Sequence, residues 1–369
     1  MVSTSFFIQN IKLNNYKNYI FKELEFSPKL NFIVGKNGLG KTNLLDAIYY
    51  TCFTKSYVSN DAFAFRFEND FFRIISSISK ITENQLIEIK NSKIGKKEIY
   101  INQVKQEKQA EYIGKFPAVI ITPNDNELII GASENRRRFI DATISQYSSE
   151  YLNNLLTYNK LIAQRNALLK SFAENRNFNQ LLLDAYSEKL IPIGNFIFEQ
   201  RKLFIDSFNP IFLKTYSSIF EGNEQIRLDY ESDLLQDNLE NLFKNSIQND
   251  RNAQRTTKGT HLDDLSFTLN TYPIKKIGSQ GQQKTFLLSL KLAQFEIIAS
   301  KQGIKPLLLL DDIFDKLDTE RISKIFQLIY SDAFGQVFIS DTNENRIQQL
   351  IKENNITNYK IIALGEVPK

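Results

Sequence analysis

The sequence predicts an α/β fold with a mostly helical lobe inserted into it. Residues 30–34 form a β-rich run that leads into a glycine loop, and the apolar run 307–310 ends in two aspartates. An all-apolar run is typical of a strand that is buried on both faces of a parallel sheet. Between about 133 and 220 the apolar residues instead follow a helical period. The two ends of the chain are therefore expected to form one α/β unit around the insertion.

The N-terminal part is expected to contain strands and one helix. Partial alternation of apolar and polar residues predicts strands at 6–13 and 24–26. The helix after the glycine loop is predicted at 43–50, because its apolar residues fall at helical spacing. Residues 65–105 are expected to form a β meander, in which short β-rich runs alternate with polar turns. The further strands expected before the insertion are 73–78, 86–89, 99–104 and 119–122.

The middle of the chain is expected to be mostly helical. The apolar residues that recur at helical spacing near its start are Leu152, Leu155, Leu156, Leu161 and Ile162. Further helical patterns run over 178–190 and 194–208. Pro192 and Pro210 are expected to interrupt these helices, because proline lacks the N–H group that a helix interior needs. No heptad pattern persists for four heptads, so a long coiled coil is not expected.

This pattern divides the chain into three segments that form two lobes. Residues 1–130 and 255–369 are predicted to form lobe I together, and residues 131–254 are predicted to form the mostly helical lobe II. The elements predicted near the C-terminus are helices at 281–299, 319–330 and 344–350 and strands at 307–310 and 337–340. No internal repeat is evident in the sequence.

The composition is that of an ordinary soluble globular protein. The chain has 369 residues, of which 42% are hydrophobic and 24% charged. No apolar run approaches 18 residues, so no membrane span is expected, and the first residues lack the pattern of a secretory signal. Cys52 is the single cysteine and cannot form an internal disulfide, which fits a cytoplasmic location. The net charge of +4 permits nucleic acid as a partner without demanding it.

The glycine loop has the full pattern of a phosphate-binding loop, G-x-x-x-x-G-K-[ST]. Its residues are Gly35, Lys36, Asn37, Gly38, Leu39, Gly40, Lys41 and Thr42. Glycines allow backbone N–H groups to approach a phosphate, and the helix N-terminus near Lys41 adds partial positive charge. We expect Lys41 to contact the β- and γ-phosphates of ATP and the Thr42 hydroxyl to bind Mg²⁺. The alternative is a glycine-rich turn that caps a helix, and the strand before the loop disfavours it.

Two aspartates at the end of the apolar run 307–310 are candidates for metal binding and catalysis. Ligands bind beyond the carboxyl ends of parallel strands. Asp311 is therefore expected to hold Mg²⁺ through its water shell, and Asp312 is expected to orient or activate the attacking water. Asp318 is a candidate for contact with a facing subunit near the nucleotide or, equally, for a helix cap.

The strand predicted at 337–340 also ends in polar residues, Ser340, Asp341 and Thr342. A polar side chain at this position is a candidate sensor of the γ-phosphate. An N-cap of the helix predicted at 344–350 is an equal alternative.

Residues 279–284, named the signature turn below, form a second phosphate-facing motif. Ser279 stands at the N-cap position of the helix predicted at 281–299. The Ser279 hydroxyl, the Gly281 N–H group and the helix dipole would together suit a γ-phosphate. Gln282 is included among the candidate nucleotide contacts of this turn. The alternative is an ordinary capped helix.

The order of these motifs resembles that of the ABC-type ATPases. In that family a phosphate loop is followed by a serine turn and then by a strand that ends in two aspartates. The resemblance implies that Ser279 contacts ATP held by the opposite subunit, so that two chains enclose the nucleotide. Far more residues separate Lys41 from Ser279 than an α/β core needs, which indicates an inserted domain in an ABC-type P-loop ATPase core.

Several segments resemble the RecF family in particular. The segment 123–141 has the pattern of a proline and acidic pair, a glycine, and then Arg-Arg-x-aromatic-aliphatic-Asp. The other segments that resemble this family are 11–19, 53–57, 259–265, 279–284 and 307–318. Together these segments cover nearly the whole chain in order. The residues that depart from the family pattern are Asn124, Ser133, Thr260, Leu262 and Lys316.

The basic residues of these segments can each be given a functional or a structural role. Arg136–Arg138 spread around a helix, so they cannot all serve one site. One of them is expected to pair with Glu134 or Asp141 while another faces a phosphate, and full pairing within the chain is the alternative. His261 is either structural or functional, and Leu262 at a position where arginine is usual favours the structural role.

The resemblance implies an ATPase of recombinational repair and replication-gap processing that acts in the response to DNA damage. It would bind ATP and Mg²⁺ and close as a homodimer on double-stranded DNA near gap junctions. Slow, DNA-stimulated hydrolysis would reopen the dimer and act as a switch. RecR and RecO are the implied partners, with RecA loaded onto single strands as the result. DNA contacts mainly to phosphate would make binding strongly salt-dependent.

Three other classes share some of these motifs. A transporter ATPase subunit does not explain the large insertion or the arginine-rich segment 123–141. An SMC-like head would need a long heptad arm, which the sequence lacks. A nucleotide kinase has no need of the signature turn, since it works as a monomer.

Overall fold

The computed structural model describes residues 4–80, 83–220, 222, 224–314 and 319–365. The chain forms two compact units, each assembled from segments that are distant in sequence. The first unit consists of residues 1–125, 215–221 and 284–369. The second unit consists of residues 126–214 and 222–283.

The strands and helices are numbered along the chain. The strands are β1 (Thr4–Ser5), β2 (Phe7–Tyr16), β3 (Tyr19–Glu25), β4 (Leu30–Val34), β5 (Phe71–Ser79), β6 (Asn84–Ser92), β7 (Glu98–Ile101), β8 (Val104–Lys105), β9 (Ala118–Ile121), β10 (Ile226–Glu231), β11 (Asp264–Leu269), β12 (Tyr272–Pro273), β13 (Ile304–Lys305), β14 (Leu307–Leu310), β15 (Val337–Asp341) and β16 (Tyr359–Ala363). The helices are α1 (Lys41–Phe53), α2 (Gln109–Tyr112), α3 (Glu127–Ile130), α4 (Ser133–Tyr147), α5 (Ser149–Glu174), α6 (Gln180–Ile219), α7 (Leu239–Ala253), α8 (Ile274–Ile277), α9 (Gln280–Gln302), α10 (Thr319–Tyr330) and α11 (Glu344–Glu353). Across the described ranges, none of these helices combines the length and apolar character that crossing a membrane requires.

A five-stranded parallel sheet forms the centre of the first unit, in the order β16-β4-β15-β14-β9. Strands β4, β14 and β15 are buried along their whole length, which explains their apolar sequences. Val34 pairs with Asp341, and Leu310 pairs with Ile339. The carboxyl ends of these three strands therefore meet at one edge, where the phosphate loop and the two aspartates begin. The sequence predicted β4, β14, β15 and β9 but not β16.

A six-stranded antiparallel sheet completes the first unit, in the order β3-β2-β5-β6-β7-β8. Strands β5 to β8 are the predicted meander, which is confirmed, with Phe71 opposite Ser92. Helix α1 shares one core with both sheets. Ile11 of β2, Ile48 of α1 and Leu309 of β14 are fully buried members of that core. The helix that follows the phosphate loop is thus fixed from two sides.

The second unit is mostly helical, as the sequence predicted, and carries the small antiparallel sheet β10-β11-β12. Helix α4 packs against α5 and against β11. Arg165 of α5 forms an ion pair of 2.7 Å with Asp250 of α7, and both side chains are fully buried. Removal of either partner would leave the other charge buried and unpaired, a change that typically costs about 3–5 kcal/mol.

The expectation that Pro192 and Pro210 interrupt the helices is wrong. Both residues lie inside the single helix α6, Gln180–Ile219. Proline in a helix interior costs about 3 kcal/mol, whereas burial of one large apolar side chain contributes roughly 1.5–3 kcal/mol. The buried aromatic residues of this helix near Pro210 are Phe204, Phe208 and Phe212. Their burial is large enough to offset the proline residues, so tertiary packing prevails over local preference.

The limit of the second unit differs from the predicted one. Lobe II was expected to end at residue 254, but the unit continues to Gln283. Strand β11 pairs antiparallel with β10, with Tyr230 opposite Leu265. This pairing joins the segment after residue 255 to the helical lobe. The boundary was missed because no local sequence pattern predicts such a long-range contact.

Candidate nucleotide-binding site

The phosphate loop joins the buried end of β4 to the first turn of α1. Gly38 and Gly40 have φ angles of 85° and 99°, a left-handed region that favours glycine. A Cβ atom on Gly40 would lie 2.5 Å from Asn18 Nδ2, so a side chain would also collide with the β2–β3 turn. Tyr19 donates its hydroxyl to the Gly40 carbonyl at 3.1 Å and fixes the end of the loop. The loop conformation therefore requires glycine at both positions.

Lys41 turns its side chain back over the phosphate loop. Its Nζ atom donates to the Gly35 carbonyl at 2.9 Å and lies 3.4 Å from both the Lys36 carbonyl and Asn37 Oδ1. The residue is only 4% exposed. Because these partners are neutral oxygens, phosphate oxygens are the stronger acceptors for the ammonium group when a nucleotide is present. This placement agrees with the predicted role of Lys41, which stays a prediction.

Thr42 and Asp311 lie together, although they are 269 positions apart in the sequence. Thr42 Oγ1 is 3.3 Å from Asp311 Oδ1, and Ser340 donates its hydroxyl to the same carboxylate oxygen at 2.7 Å. Hydroxyl and carboxylate oxygens are the ligands that Mg²⁺ prefers. Within the described ranges, no group of three His, Cys, Asp or Glu side chains forms a metal site. The Thr42 hydroxyl and the Asp311 carboxylate are nevertheless groups of the kind that would hold Mg²⁺.

Tyr57 is a residue of this site that motif reasoning missed. Its hydroxyl donates to Asp311 Oδ2 at 3.0 Å and lies 3.4 Å from the Thr42 carbonyl. Burial and the neighbouring Asp311 carboxylate raise the pKa of Tyr57, so its hydroxyl stays protonated and donates. Tyr57 stands in a loop without periodicity. The signal in the sequence was the segment 53–57, which resembles the RecF family but suggested no role for this residue.

The segment that carries Tyr57 is anchored to α1 through the buried carboxylate of Asp46. The Tyr57 N–H group donates to Asp46 Oδ1 at 2.9 Å, and the Ser56 hydroxyl donates to Asp46 Oδ2 at 2.8 Å. Tyr16 donates to the same carboxylate at 2.6 Å, and Lys17 pairs with it at 2.5 Å. This network fixes the segment to the helix that begins at the phosphate loop.

Asp312 follows Asp311 in the chain and has a left-handed backbone conformation. Its φ angle of 45° lies in the left-handed region, which aspartate and asparagine tolerate better than most residues. The Asp312 N–H group donates to Ser340 Oγ at 2.9 Å, which fixes this conformation. The side chain is half-buried at the same sheet edge as Asp311. Its predicted role with the attacking water stays a prediction.

The polar residues at the end of β15 were given two alternative roles by the sequence, and the structure places them differently. Ser340 contacts Asp311 and so belongs to the site. Asp341 forms a two-bond ion pair with Arg346, at 2.9 Å to Nε and 2.7 Å to Nη2. The cap of α11 is Asn343, which accepts from the Arg346 N–H group. Asp341 therefore has a structural partner, and Ser340 is the residue of this group that contacts the Asp311 carboxylate.

Ser279 caps helix α9 and is exposed to solvent. Its hydroxyl accepts from the Gln282 N–H group at 3.2 Å, and Gln282 Oε1 accepts from the Ser279 N–H group at 2.7 Å. This reciprocal pair is a capping box. Gln282 Nε2 also donates to Glu224 at 2.7 Å. The signature turn lies in the second unit up to Gln283, and Asp318, the other candidate for contact in trans, lies outside the described residues.

The arginine cluster is paired within the second unit. Arg136 forms a two-bond ion pair with Asp264, at 2.6 Å and 2.9 Å. Arg137 donates to the Asp263 carbonyl at 2.7 Å. Arg138 pairs with Glu134 at 2.7 Å on the exposed side of α4, one of the two pairings that the sequence suggested. These contacts favour a structural role for the first two arginines.

Asp141, the other predicted partner of the cluster, pairs instead with Arg201 of α6 at 3.0 Å. Arg201 also donates to Asp263 at 2.8 Å and is nearly completely buried. No sequence pattern predicts this network, because its members come from three distant segments.

His261 is a buried histidine with partners on both ring nitrogens. Nδ1 lies 3.2 Å from the Tyr158 hydroxyl, and Nε2 lies 3.2 Å from the Thr256 carbonyl. Burial lowers the pKa of His261 to about 4. These contacts favour the structural interpretation of the residue.

Acidification from pH 6.5 to pH 4 is expected to lower the free energy of unfolding through His261. The unfolded chain takes up a proton near the ordinary pKa of 6.5 and the folded chain only near pH 4. The unfolded state therefore binds more protons in this window, and stability falls as the pH drops, by about 3 kcal/mol in total. Urea unfolding at a series of pH values would measure the slope. His261→Gln should flatten it, and an equal slope in both proteins would contradict the assignment.

Comparisons with known proteins agree with this geometry. A family described as "AAA domain, putative AbiEii toxin, Type IV TA system" matches residues 30–340. The chain is 45% identical to the DNA replication and repair protein RecF of Flavobacterium johnsoniae over 358 residues, which cover 97% of this chain and 99% of the relative. The protein of the same name from Phocaeicola vulgatus is 43% identical over 366 residues, 98% of this chain and 97% of the relative.

Solved structures support the same relationship. A structure of "the recombination mediator protein RecF-ATPrS in RecFOR pathway" has a TM-score of 0.88 and 28% identity, and the match covers 99% of this chain and 98% of that chain. The Smc head domain of Pyrococcus furiosus has a TM-score of 0.56 and 17% identity over 97% of this chain and 93% of that chain, a likeness of fold alone.

The parallel sheet, the phosphate loop and the adjoining aspartate strand define a P-loop ATPase with an ABC-type α/β core. The curated relatives, which match over nearly their full length, specify the class further. The chain belongs to the RecF family. The resemblance predicted from the sequence is thereby confirmed, and the comparisons give no support to a transporter subunit or a nucleotide kinase.

Proposed function

We propose that this chain is an ATP-dependent DNA-binding protein of recombinational repair and replication-gap processing. The observation that carries the proposal is the contact of Thr42 with Asp311 beside the phosphate loop of a member of the RecF family, where the two residues would hold Mg²⁺. The curated relatives are named for DNA replication and repair. Two similar structures are named RecF-ATPrS and RecF-ATP. ATP is therefore the proposed nucleotide, and DNA is the proposed partner.

The residues of the phosphate loop are proposed to hold ATP for slow hydrolysis. Lys41 would exchange its neutral loop partners for phosphate oxygens. Bound Mg²⁺ would neutralise phosphate charge, and Thr42 and Asp311 are the residues that would hold it. Asp312 is the proposed group that orients or activates water. We propose that DNA stimulates this turnover and that hydrolysis resets the protein.

A homodimer is proposed to enclose the nucleotide, with Ser279 of one chain facing ATP on the other. Ser279 is exposed at a helix N-terminus, where backbone N–H groups and the helix dipole favour an anion. Its hydroxyl accepts one hydrogen bond within the turn and keeps its proton for donation to a phosphate oxygen. Gly281 and Gln282 are proposed to contact the same phosphate.

The closed dimer is proposed to bind double-stranded DNA and gap junctions, mainly through phosphate contacts. Affinity should then fall steeply with salt. RecR and RecO are the proposed protein partners, and loading of RecA is the proposed outcome. Two similar structures are named for the RecFOR pathway, which supports this part of the proposal. A protein with these partners is expected in the cytoplasm.

Sedimentation velocity with and without ATP and duplex DNA tests the proposed function most directly. We expect a monomer without nucleotide, a dimer with ATP, and a heavier complex when duplex DNA is added. ADP serves as the control and should leave the protein monomeric. A chain that stays monomeric with ATP and binds no duplex would contradict the proposal.

Ser279→Arg is expected to block the ATP-induced dimer and spare ATP binding. The arginine side chain would add bulk where the partner's nucleotide is proposed to lie, while the phosphate loop of the same chain is unchanged. Loss of the N-cap costs about 1 kcal/mol, too little to unfold the unit. Sedimentation with ATP and binding of a fluorescent ATP analogue are the two measurements.

Ser279→Thr is the matched control for this variant, because threonine retains the hydroxyl and the cap. It should still dimerise with ATP. Dimers of Ser279→Arg as stable as those of the unchanged chain would remove Ser279 from the proposed interface.

A further inference from the structure

The Asp311 carboxylate is held by hydroxyl groups on both of its oxygens. Ser340 donates to Oδ1 at 2.7 Å, and Tyr57 donates to Oδ2 at 3.0 Å. The terminal torsion of an aspartate is soft and has no sharp minimum of its own. Donors on opposite oxygens therefore determine the plane of the carboxylate. That plane decides which oxygen faces Thr42.

Tyr57 is itself held rigidly. Its N–H group donates to the buried Asp46, and its ring packs edge-on against Tyr49 of α1, with ring centroids 5.4 Å apart. Its hydroxyl also lies 3.4 Å from the Thr42 carbonyl. The same helix therefore carries Thr42 and fixes the position of the tyrosine hydroxyl. Movement of α1 would shift both groups together.

We propose that Tyr57 is a positioning residue of the metal site, which sets the Asp311 carboxylate in the plane that Mg²⁺ binding requires. This inference rests on the proposed binding of ATP and Mg²⁺ at the phosphate loop. Tyr57 contacts Asp311 from a loop that is separate from the phosphate loop and from the ends of β14 and β15. It thereby makes the segment 54–61 a part of the metal site, with Asp46 as the connection to the phosphate-loop helix.

Residues that hydrogen-bond to metal ligands typically affect metal affinity by about 10- to 100-fold when they are replaced. Tyr57→Phe removes one hydroxyl and keeps the ring. We expect the Mg²⁺ concentration for half-maximal ATP turnover to rise by about 10-fold or more. Turnover at saturating Mg²⁺ should recover to within about threefold, because a positioning residue does not take part in the chemistry.

Tyr100→Phe is the matched control. Tyr100 is a half-buried tyrosine of β7 whose hydroxyl also donates to a carboxylate, that of Glu98, at 3.1 Å. It loses the same kind of hydrogen bond without touching Asp311. Its Mg²⁺ dependence should equal that of the unchanged chain.

A second readout does not depend on turnover. Binding of a fluorescent ATP analogue is measured in EDTA and at a series of Mg²⁺ concentrations. In EDTA, Tyr57→Phe and the unchanged chain should bind alike, and the gain in affinity on adding Mg²⁺ should require about 10-fold more metal in the variant. A metal dependence equal to that of Tyr100→Phe would overturn the inference alone. An unchanged chain that binds no nucleotide, or gains nothing from Mg²⁺, would overturn the proposed function as well.

Discussion

Lys41→Ala is expected to abolish ATP-dependent DNA binding. The ammonium group makes three contacts with the loop, between 2.9 Å and 3.4 Å, and is directed at the space that the loop encloses. Hydrogen bonds to charged groups contribute about 1.5–3 kcal/mol each. Loss of two phosphate contacts therefore corresponds to about 100-fold or more in ATP affinity. Without ATP, the proposed dimer and its DNA complex do not form.

Titration of a fluorescent ATP analogue and of labelled duplex DNA in the presence of ATP measures both effects of this substitution. Lys360→Ala is a suitable control, because Lys360 is a half-buried lysine of β16 in the same sheet, with a distant ion pair of 3.8 Å to Glu25. It should bind ATP and DNA as the unchanged chain does. Retention of ATP-dependent DNA binding by Lys41→Ala would refute the role assigned to the lysine.

Asp312→Asn is expected to bind ATP and to accumulate a dimer that hydrolyses slowly. The substitution removes the charge of the proposed base, and loss of general-base catalysis lowers turnover by about 10²- to 10⁴-fold. Asparagine tolerates the left-handed φ of 45° as well as aspartate does, and the N–H group still donates to Ser340. The backbone of the site should therefore be preserved, so that the effect reports on chemistry.

Phosphate release and sedimentation with ATP measure the two consequences of this change. Asp332→Asn, at an exposed position after α10, removes a carboxylate elsewhere in the same unit and should have no effect on either measurement. Turnover of Asp312→Asn equal to that of the unchanged chain would assign the catalytic role to another residue.

The parts of the site that follow from local rules were predictable from the sequence. The glycine pattern between β4 and α1 specifies the phosphate loop, because glycine is required at Gly38 and Gly40 by their φ angles. That Thr42 and Asp311 would lie near each other was also predictable, since parallel strands present their carboxyl ends at one edge of a sheet. The first inference depends on the backbone geometry of one short segment, and the second depends on a general rule for parallel sheets.

The contacts made by loops and distant segments were not predictable in the same way. Tyr57 reaches Asp311 from 254 positions away in sequence, through a loop that has no period. Strand β16 and the pairing of β10 with β11 likewise depend on which segments meet after folding. The prolines of α6 show the reverse case, in which a strong local preference is outweighed by the burial of aromatic side chains.

The capping box of Ser279 and Gln282 has a consequence for the rate at which two chains would associate. The turn is already ordered in a single chain, so closing it over a partner's ATP demands no folding step and little loss of backbone freedom. Preorganised surfaces associate without waiting for a rare conformer. In the proposed dimer, the lifetime of the closed state would then be set by the rate of ATP hydrolysis. Folding of the turn would not limit either the opening or the closing of the dimer.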